Sequence, residues 1–256
     1  MAKAIRPRHT LLGRESMLLL LTLAAASVDA ISYLGLGQVF TAMMTGNTVL
    51  LGLALAQGEV LAALRSILAL IGFTIGVFAG AIIVERESEP AEWPAAVTAA
   101  LAFEALVLAI FAAASTLFDS TRGVIIYLLI ILSAFAMGIQ SAAVRRLGVP
   151  GIATTYITGT LTSLMVDLLG WLRSLSARLP VSKTVKRDDL ARLPWDQRVG
   201  LLAGVVTLYC VGALIGGVLQ VHSPTLAPLF PLGAVILVVV NAGIRQRRRQ
   251  RPLSDF

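Results

Sequence analysis

The feature that most constrains this chain is a series of apolar runs, each close to twenty residues long. An α-helix needs about 20 apolar residues to cross the hydrocarbon core of a bilayer, which is about 30 Å thick. Eight such segments follow one another: 16–36, 39–56, 62–84, 94–114, 124–144, 152–172, 199–219 and 226–244. Only 14% of the 256 residues are charged, whereas soluble domains carry about 25%. The sequence therefore predicts an all-α, polytopic transmembrane helical bundle.

The basic residues indicate how the chain is oriented in a membrane. Most of the 21 Lys and Arg residues lie in the N-terminal tail 1–15, the loop 173–198 and the C-terminal tail 245–256. Because cytoplasmic loops carry an excess of basic residues, both termini are predicted to be cytoplasmic. This distribution is typical of membrane topology rather than of nucleic-acid binding, so no nucleic-acid partner is expected.

The two halves of the chain, 16–114 and 124–244, repeat the same features in the same order, which predicts an internal duplication. Each half carries one short polar block with a Thr-Gly pair inside an apolar segment. The first block is Thr41, Thr45, Gly46 and Asn47, and the second block is Thr154, Thr158, Gly159 and Thr160. In the segment before each block, Asp29 of the first half aligns with Gln140 of the second.

Glycine spacing marks another pair of equivalent segments. Gly76 and Gly80 in the third segment are four residues apart, as are Gly212 and Gly216 in the seventh. Small residues at this spacing let transmembrane helices approach closely. These four glycines are therefore predicted to be helix-packing positions.

Two topologies are compatible with the eight segments. If all of them cross, the halves are parallel repeats of four segments each. If segments 39–56 and 152–172 instead re-enter, six spans remain and the halves are inverted. The positive-inside rule places both termini in the cytoplasm in either case. The length of segments 39–56 and 152–172 favours eight crossings.

The two polar blocks indicate a binding site. Polar groups inside a bilayer are costly unless they are satisfied, and this cost is carried twice, in equivalent places. We expect the two blocks to converge near the middle of the bilayer, with Asp29 and Gln140 beside them, and to bind the substrate. The alternative for any single threonine is structural, because Thr hydroxyls also bond to the carbonyl four residues earlier.

Three acidic residues, Asp29, Glu104 and Asp167, fall inside hydrophobic segments. An ionisable residue at the centre of a membrane helix costs about 2.5–3.5 kcal/mol on insertion scales and is usually functional. Proton or ion coupling is therefore the hypothesis for all three. The alternative is a protonated carboxyl bonded to a neighbouring helix. Because no Lys or Arg is expected at matching depth, a neutral acid or a bound cation is favoured over an ion pair.

Enzyme and metal-site signatures are missing from the sequence. It holds no His-Glu-x-x-His motif, no Gly-rich phosphate loop and no cysteine cluster, and its one cysteine is Cys210. We therefore expect no catalytic site, no metal and no cofactor. The expected partners are the lipid bilayer and a small solute or ion of unknown identity, and a homo-oligomer is left open.

Two longer patterns carry a resemblance to a known family. The stretch SVDAISY at 27–33 is followed by MTGN at 44–47, and GIQSAAVRRLG at 138–148 is followed by TT at 154–155 and TGT at 158–160. Together they resemble the paired signatures of the YoaK family of bacterial inner-membrane proteins, over about 16–244. Ser27 departs from the glycine expected there. The resemblance implies a small multi-pass protein of the bacterial cytoplasmic membrane and no particular activity.

The repeats, the polar blocks and the buried acids together predict a small-solute or ion transporter or channel, since repeats with polar midplane positions are a common transporter plan. The alternative is a non-transporting membrane scaffold or lipid-interacting accessory protein. The basic loop and the basic C-terminal tail would suit that second role.

Overall fold

The structure, a computed structural model, describes residues 12–87, 91–118, 123–149, 154–155, 157–176 and 195–250. Most of the basic loop predicted at 173–198, most of the predicted N-terminal tail and half of the predicted C-terminal tail lie outside the described residues. The described chain forms eight helices: α1 (Arg14–Gly35), α2 (Met44–Gln57), α3 (Val60–Val84), α4 (Ala95–Leu117), α5 (Ile125–Arg146), α6 (Thr158–Ser176), α7 (Trp195–His222) and α8 (Leu229–Gln250). The predicted all-α membrane bundle is confirmed over these residues.

Six of the eight helices are long and apolar enough to cross a membrane, namely α1, α3, α4, α5, α7 and α8. Helix α2 has 14 residues and is therefore about 21 Å long, which is short of a hydrocarbon core of about 30 Å. Helix α6 has 19 residues but carries Asp167, Arg173 and several threonines. Length and composition thus separate α2 and α6 from the six spanning helices.

The directions of α1 and α5 decide between the two predicted topologies. Near one end of the bundle, Arg14 donates to the carbonyl oxygen of Leu147. Further along, Gln140 Nε2 donates to the carbonyl oxygen of Leu21 over 3.1 Å. Residue numbers therefore fall along α5 as they rise along α1, so the two helices are antiparallel. Eight crossings would make them run the same way, and that expectation is wrong.

The six-span alternative fits, and the physical reason lies at the head of the second segment. Residues 39–43 are not helical, and the backbone N–H groups of 41–43 bond to a side chain of α1 instead of continuing a helix. Only the remainder of segment 39–56 is free to form a helix, and it is too short to span. An apolar composition alone does not reveal this break.

Helices α1 and α5 form the centre of the bundle. In the spanning windows, 67% of α1 and 61% of α5 are buried, against 44% or less in the other four spans. Helix α3 packs against α5, and α7 packs against α1. Ladders of contacts show that each of these pairs is parallel: Gly72, Gly76 and Gly80 meet Ile131, Phe135 and Ile139 in that order, and Gly212 and Gly216 meet Leu23 and Ser27.

Several hydrogen bonds gather helix ends at one end of the bundle. Arg146 at the end of α5 donates to the carbonyl oxygen of Glu87 over 2.6 Å. Gln246 near the end of α8 donates to the hydroxyl of Thr98 in the first turns of α4 over 2.8 Å. Glu87 follows α3 and contacts the start of α4, so these bonds place the end of α5, the start of α4 and the end of α8 together. Because Arg14 at the start of α1 is bonded to Leu147 just after α5, the start of α1 lies at the same end of the bundle.

The glycine contacts yield a stability prediction. A Cβ atom at Gly76 or Gly212 would lie less than 3.0 Å from the carbonyl oxygen of Phe135 or Leu23, respectively. Gly76→Ala and Gly212→Ala should each lower stability by about 1–3 kcal/mol, because the helices must separate to admit the methyl group. Thermal unfolding in detergent measures the loss.

Gly243 in α8 is the matched control, because a Cβ there meets nothing within 4 Å. Gly243→Ala should leave the melting temperature unchanged or raise it, since alanine favours a helix by about 1 kcal/mol over glycine. Equal losses in all three variants would contradict the close-packing interpretation.

Candidate functional site

The chain folds back into the bundle directly after α1. Residues 36–57, which we call the first hairpin, begin with a sharp turn in which Gly37 and Gln38 have φ of +83° and +62°. Glycine adopts such left-handed values at little cost, and a Cβ at Gly37 would also overlap the guanidinium of Arg65. The turn brings the following residues alongside the last turns of α1.

Asp29 holds the inner end of the first hairpin. Its Oδ1 accepts hydrogen bonds from the backbone N–H groups of Thr41 (2.9 Å), Ala42 (2.7 Å) and Met43 (3.3 Å). Its Oδ2 accepts from the hydroxyl of Tyr209 on α7 over 3.0 Å. Successive N–H groups that converge in this way form an anion-binding concavity, here at the start of α2. The carboxylate therefore serves as the internal anion of the hairpin.

The depth of this contact follows from the helix geometry. Asp29 lies six residues before the end of α1 at Gly35, or about 9 Å along the helix. The N–H groups of residues 41–43 must therefore lie at that depth inside the bundle. The first hairpin is re-entrant in shape: it enters the bundle through 36–43 and leaves it through α2.

A cluster of three buried hydroxyls connects the first hairpin to both central helices. Thr41 Oγ1 lies 2.9 Å from Ser32 Oγ on α1 and 2.8 Å from Ser133 Oγ on α5. All three side chains are buried. Each hydroxyl can donate to the next, so the cluster satisfies its own polar groups within an apolar bundle.

Asn47 fixes the head of α2. Its Oδ1 accepts from the backbone N–H of Phe40 over 3.0 Å, and its Nδ2 donates to the carbonyl oxygen of Phe40 over 2.6 Å. Asn47 is fully buried. The non-helical segment before α2 lacks backbone hydrogen-bond partners, and the side chain of Asn47 supplies them for the N–H and carbonyl groups of Phe40.

The second block is held by α5 in a corresponding way. Gln140 Nε2 donates to Thr154 Oγ1 over 2.9 Å, and Ser141 Oγ lies 3.0 Å from Thr155 Oγ1. Gln140 is six residues before the end of α5 at Arg146, as Asp29 is in α1. Because α1 and α5 are antiparallel, the two blocks meet their holding residues near opposite ends of the bundle.

The predicted site residues are therefore brought together within each half, but the two blocks do not converge on each other as expected, because the antiparallel helices α1 and α5 hold them near opposite ends of the bundle. Asp29 meets Thr41 and the head of the hairpin that includes Gly46 and Asn47, and Gln140 meets Thr154. In the described part of the chain no hydrogen bond joins the first block to the second. Thr45, Thr158 and Gly159 are exposed, whereas Thr160 is buried and its hydroxyl has no partner among the described residues.

The three acids of the apolar segments have three different environments. Asp29 accepts four hydrogen bonds, as described above. Asp167 on α6 forms an ion pair with Arg198 on α7, whose Nε lies 2.5 Å from Oδ2. Glu104 on α4 is fully buried, and neither carboxylate oxygen has a hydrogen-bond partner within the described residues.

The ion pair corrects the expectation that no basic residue lies at the depth of these acids. The sequence assigned Arg198 to the polar loop 173–198, but α7 begins earlier, at Trp195. The extra turn carries Arg198 on the helix that packs against α6. Asp167 is therefore paired rather than neutral or bound to a cation.

Sequence reasoning missed Ser32, Ser133 and Tyr209 as members of the site. Each is a polar side chain within an apolar helix, which is the signal that would have found them. Tyr209 is also the residue that ties α7 to Asp29. Among the described residues no group of three or more His, Cys, Asp or Glu side chains is arranged to hold a metal ion.

Comparison with known proteins is informative at the level of family. Residues 17–241 match the model of a family described as protein of unknown function DUF1275. The chain is also similar to the UPF0700 transmembrane protein YoaK of Bacillus subtilis (strain 168), with 44% identity over 202 residues, covering 79% of this chain and 82% of the relative. No solved structure matches significantly. The resemblance to the YoaK family is confirmed.

The contacts of Asp29 predict a graded series of stabilities. Asp29→Ala should cost at least about 3 kcal/mol, because three buried N–H groups lose their acceptor at about 1–3 kcal/mol each. Asp29→Asn should cost less, since its amide oxygen can still accept from the backbone. Tyr209→Phe, which removes one hydrogen bond, should cost about 1 kcal/mol. Thermal unfolding of the purified variants tests this order, and an unaltered melting temperature for Asp29→Ala would contradict it.

Proposed function

The chain belongs to the DUF1275 family of multi-pass membrane proteins, and we propose that it moves a small solute or ion across the cytoplasmic membrane of a bacterium. The observation that carries the proposal is the first hairpin, whose backbone N–H groups at 41–43 converge on Asp29 among helices long enough to span a bilayer. Non-helical backbone at membrane depth is tolerated only where protein buries it or where it lines a water-filled cavity.

Short helices that begin inside the bundle support a transport role. In transporters with discontinuous helices, the N-termini point at the bound solute near the bilayer midplane. Helices α2 and α6 both begin next to a polar block held by a central helix. We assign a substrate-binding role to each block together with the residue that holds it, Asp29 near one end of the bundle and Gln140 near the other, and the exposed residues Thr45, Thr158 and Gly159 to the path of the solute.

The arrangement of the helices supports two inverted repeats. A two-fold symmetry axis in the membrane plane would make α1 and α5 antiparallel and would relate the parallel pair α3–α5 to the parallel pair α7–α1. It would also give Asp29 and Gln140 equivalent depths, as observed. Inverted repeats are a common basis of alternating access, in which one bundle rocks against the other around a fixed site. In this proposal the substrate is moved without chemical conversion.

Charge assigns a side of the membrane to each end of the bundle. The end that holds the start of α1 and the end of α8 also carries Arg145 and Arg146, together with Arg245, Arg247 and Arg248 in the last turns of α8. The opposite end carries Arg65, near the start of α3. By the positive-inside rule the first end is cytoplasmic, so both termini face the cytoplasm.

Accessibility of single cysteines tests this orientation. On a Cys210→Ala background, Glu59→Cys and Ala91→Cys place a thiol at exposed positions at opposite ends of the bundle. An impermeant thiol reagent added to intact cells should label Glu59→Cys and should label Ala91→Cys only after lysis. The reverse pattern is the one that eight crossings would give, and it would overturn the six-span assignment.

Flux measurements test the function. Proteoliposomes of the full chain are mixed with hyperosmotic solutions of sodium chloride, potassium nitrate, sodium formate, urea and glycerol, and volume recovery is followed by light scattering. At least one solute should enter faster than into protein-free vesicles. Asp29→Asn, which removes the ionisable carboxyl group of the hairpin, should slow that entry at least about ten-fold. This corresponds to a rise of at least about 1.4 kcal/mol in the free-energy barrier. Recovery equal to that of protein-free vesicles for every solute would count against transport.

A further inference from the structure

Glu104 differs from the other acids in the apolar segments because its carboxyl group has no hydrogen-bond partner among the described residues. It is the tenth residue of the 23-residue helix α4 and is 0% exposed. Neither oxygen of its carboxylate meets a hydrogen-bond donor in the described part of the chain. The buried neighbours on its own helix are aliphatic, for example Leu101, Val107 and Leu108. The fold thus buries a carboxyl group that makes no hydrogen bond to the described residues.

The charged groups on the helices that pack against α4 lie toward the helix ends rather than at the level of Glu104. Helix α4 contacts α3, α5 and α8. The titratable and charged side chains described on those helices lie within two turns of a helix end: Arg65 on α3, Tyr127, Arg145 and Arg146 on α5, and Arg245, Arg247 and Arg248 on α8. The bond between Thr98 and Gln246 sets the register of α4 and α8, and Glu104 lies six residues beyond Thr98, or about 9 Å deeper.

A second unpartnered oxygen lies at a similar depth. Asn241 on α8 is buried, and its Oδ1 has no hydrogen-bond partner among the described residues. It is five residues from Gln246, so by the same register it lies within about 2 Å of the level of Glu104 along the helix axis. Both groups offer acceptors, and neither is supplied with a donor.

A proton is the ligand that fits this environment. An ionised carboxylate buried without a partner is strongly unfavourable, and such a group takes up a proton instead. A hard cation such as Ca²⁺ takes six to eight oxygen ligands, and the described residues on the helices around Glu104 do not supply that number. Asp29 and Asp167 differ from Glu104, because hydrogen-bond donors contact the carboxyl oxygens of Asp29 and Arg198 contacts Asp167.

We propose that Glu104 is the proton-binding site of this protein, and that its protonation and deprotonation couple solute movement to the proton gradient. The coupling rests on the proposed transport function, whereas the protonation does not. In the conformation described here Glu104 carries the proton. Release requires a conformation in which Glu104 meets water or a basic group, which ties loss of the proton to a movement of α4 against α5 and α8.

Infrared spectroscopy of the full chain in lipid vesicles at neutral pH tests the protonation directly. The carbonyl stretch of a protonated carboxylic acid is separate from the bands of carboxylates and amides. The wild-type protein should show this band, and Glu104→Gln should lack it. Glu104→Gln should also melt like the parent, because the side chain it replaces makes no hydrogen bond in the described fold.

The control is the double variant Asp29→Asn with Asp167→Asn, which leaves Glu104 as the only acid in the apolar segments. The band should persist there unchanged, and this outcome assigns it to Glu104 even if Glu104→Gln fails to fold. A wild-type spectrum without the band, or a band lost in the double variant, would overturn the assignment.

Coupling is tested in vesicles that enclose a pH-sensitive dye. A pH gradient should accelerate entry of whichever solute the wild-type protein admits at least about ten-fold, and Glu104→Gln should retain entry but lose the acceleration. Solute entry that ignores the gradient would overturn the coupling while leaving transport intact. If no solute enters, the proposed function fails together with the coupling, and the infrared band still decides whether Glu104 holds a proton.

Discussion

The structure depends above all on the bond between one carboxylate and three successive backbone N–H groups. Backbone that is not helical lacks internal partners, and inside a bilayer water cannot supply them. Asp29 accepts hydrogen bonds from the backbone N–H groups of Thr41, Ala42 and Met43. Each of these N–H groups, if left unbonded, would lower the stability of the fold by about 1–3 kcal/mol. In return, the N–H groups and the start of α2 stabilise a charge that the apolar helix α1 could not carry alone. The first hairpin can therefore exist at this depth only with Asp29, and Asp29 can be ionised there only with the hairpin.

Close helix packing brings the remaining members of the cluster into place. Gly212 and Gly216 allow α7 to lie against the backbone of α1 at Leu23 and Ser27. That approach puts the hydroxyl of Tyr209 within 3.0 Å of Asp29. The glycines of α3 act on α5 in the same manner, and α5 presents Ser133 to Thr41. A side chain added at these glycines would therefore disturb the polar cluster as well as the packing, because the same helix separation determines both.

Much of this architecture could be predicted from the sequence, and the failures have identifiable causes. The apolar segment 62–84 corresponds to α3 (Val60–Val84) within two residues, since a long apolar run has only one stable form in lipid. The segment 39–56 was predicted to span because its composition is mostly apolar, although the backbone of residues 41–43 is bonded to Asp29 and is not helical. Arg198 was assigned to a loop because a helix end carrying charge resembles a loop in composition. Tyr209 is visible in the sequence as a polar side chain within an apolar helix, but its hydrogen bond to Asp29, 180 residues away, leaves no local pattern.

The two halves solve the same problem with different chemistry, and the difference bears on function. In the first half a charged Asp29 satisfies the hairpin, whereas in the second the neutral Gln140 donates to Thr154 and to the carbonyl oxygen of Leu21. A related contrast separates the three acids. The carboxyl oxygens of Asp29 accept hydrogen bonds from the first hairpin and from Tyr209, and Asp167 pairs with Arg198. Glu104 has no such partner among the described residues, so its ionisation depends only on access to a proton and to a polar environment. A group of that kind responds to a change of helix packing more sharply than a group whose charge the fold already satisfies.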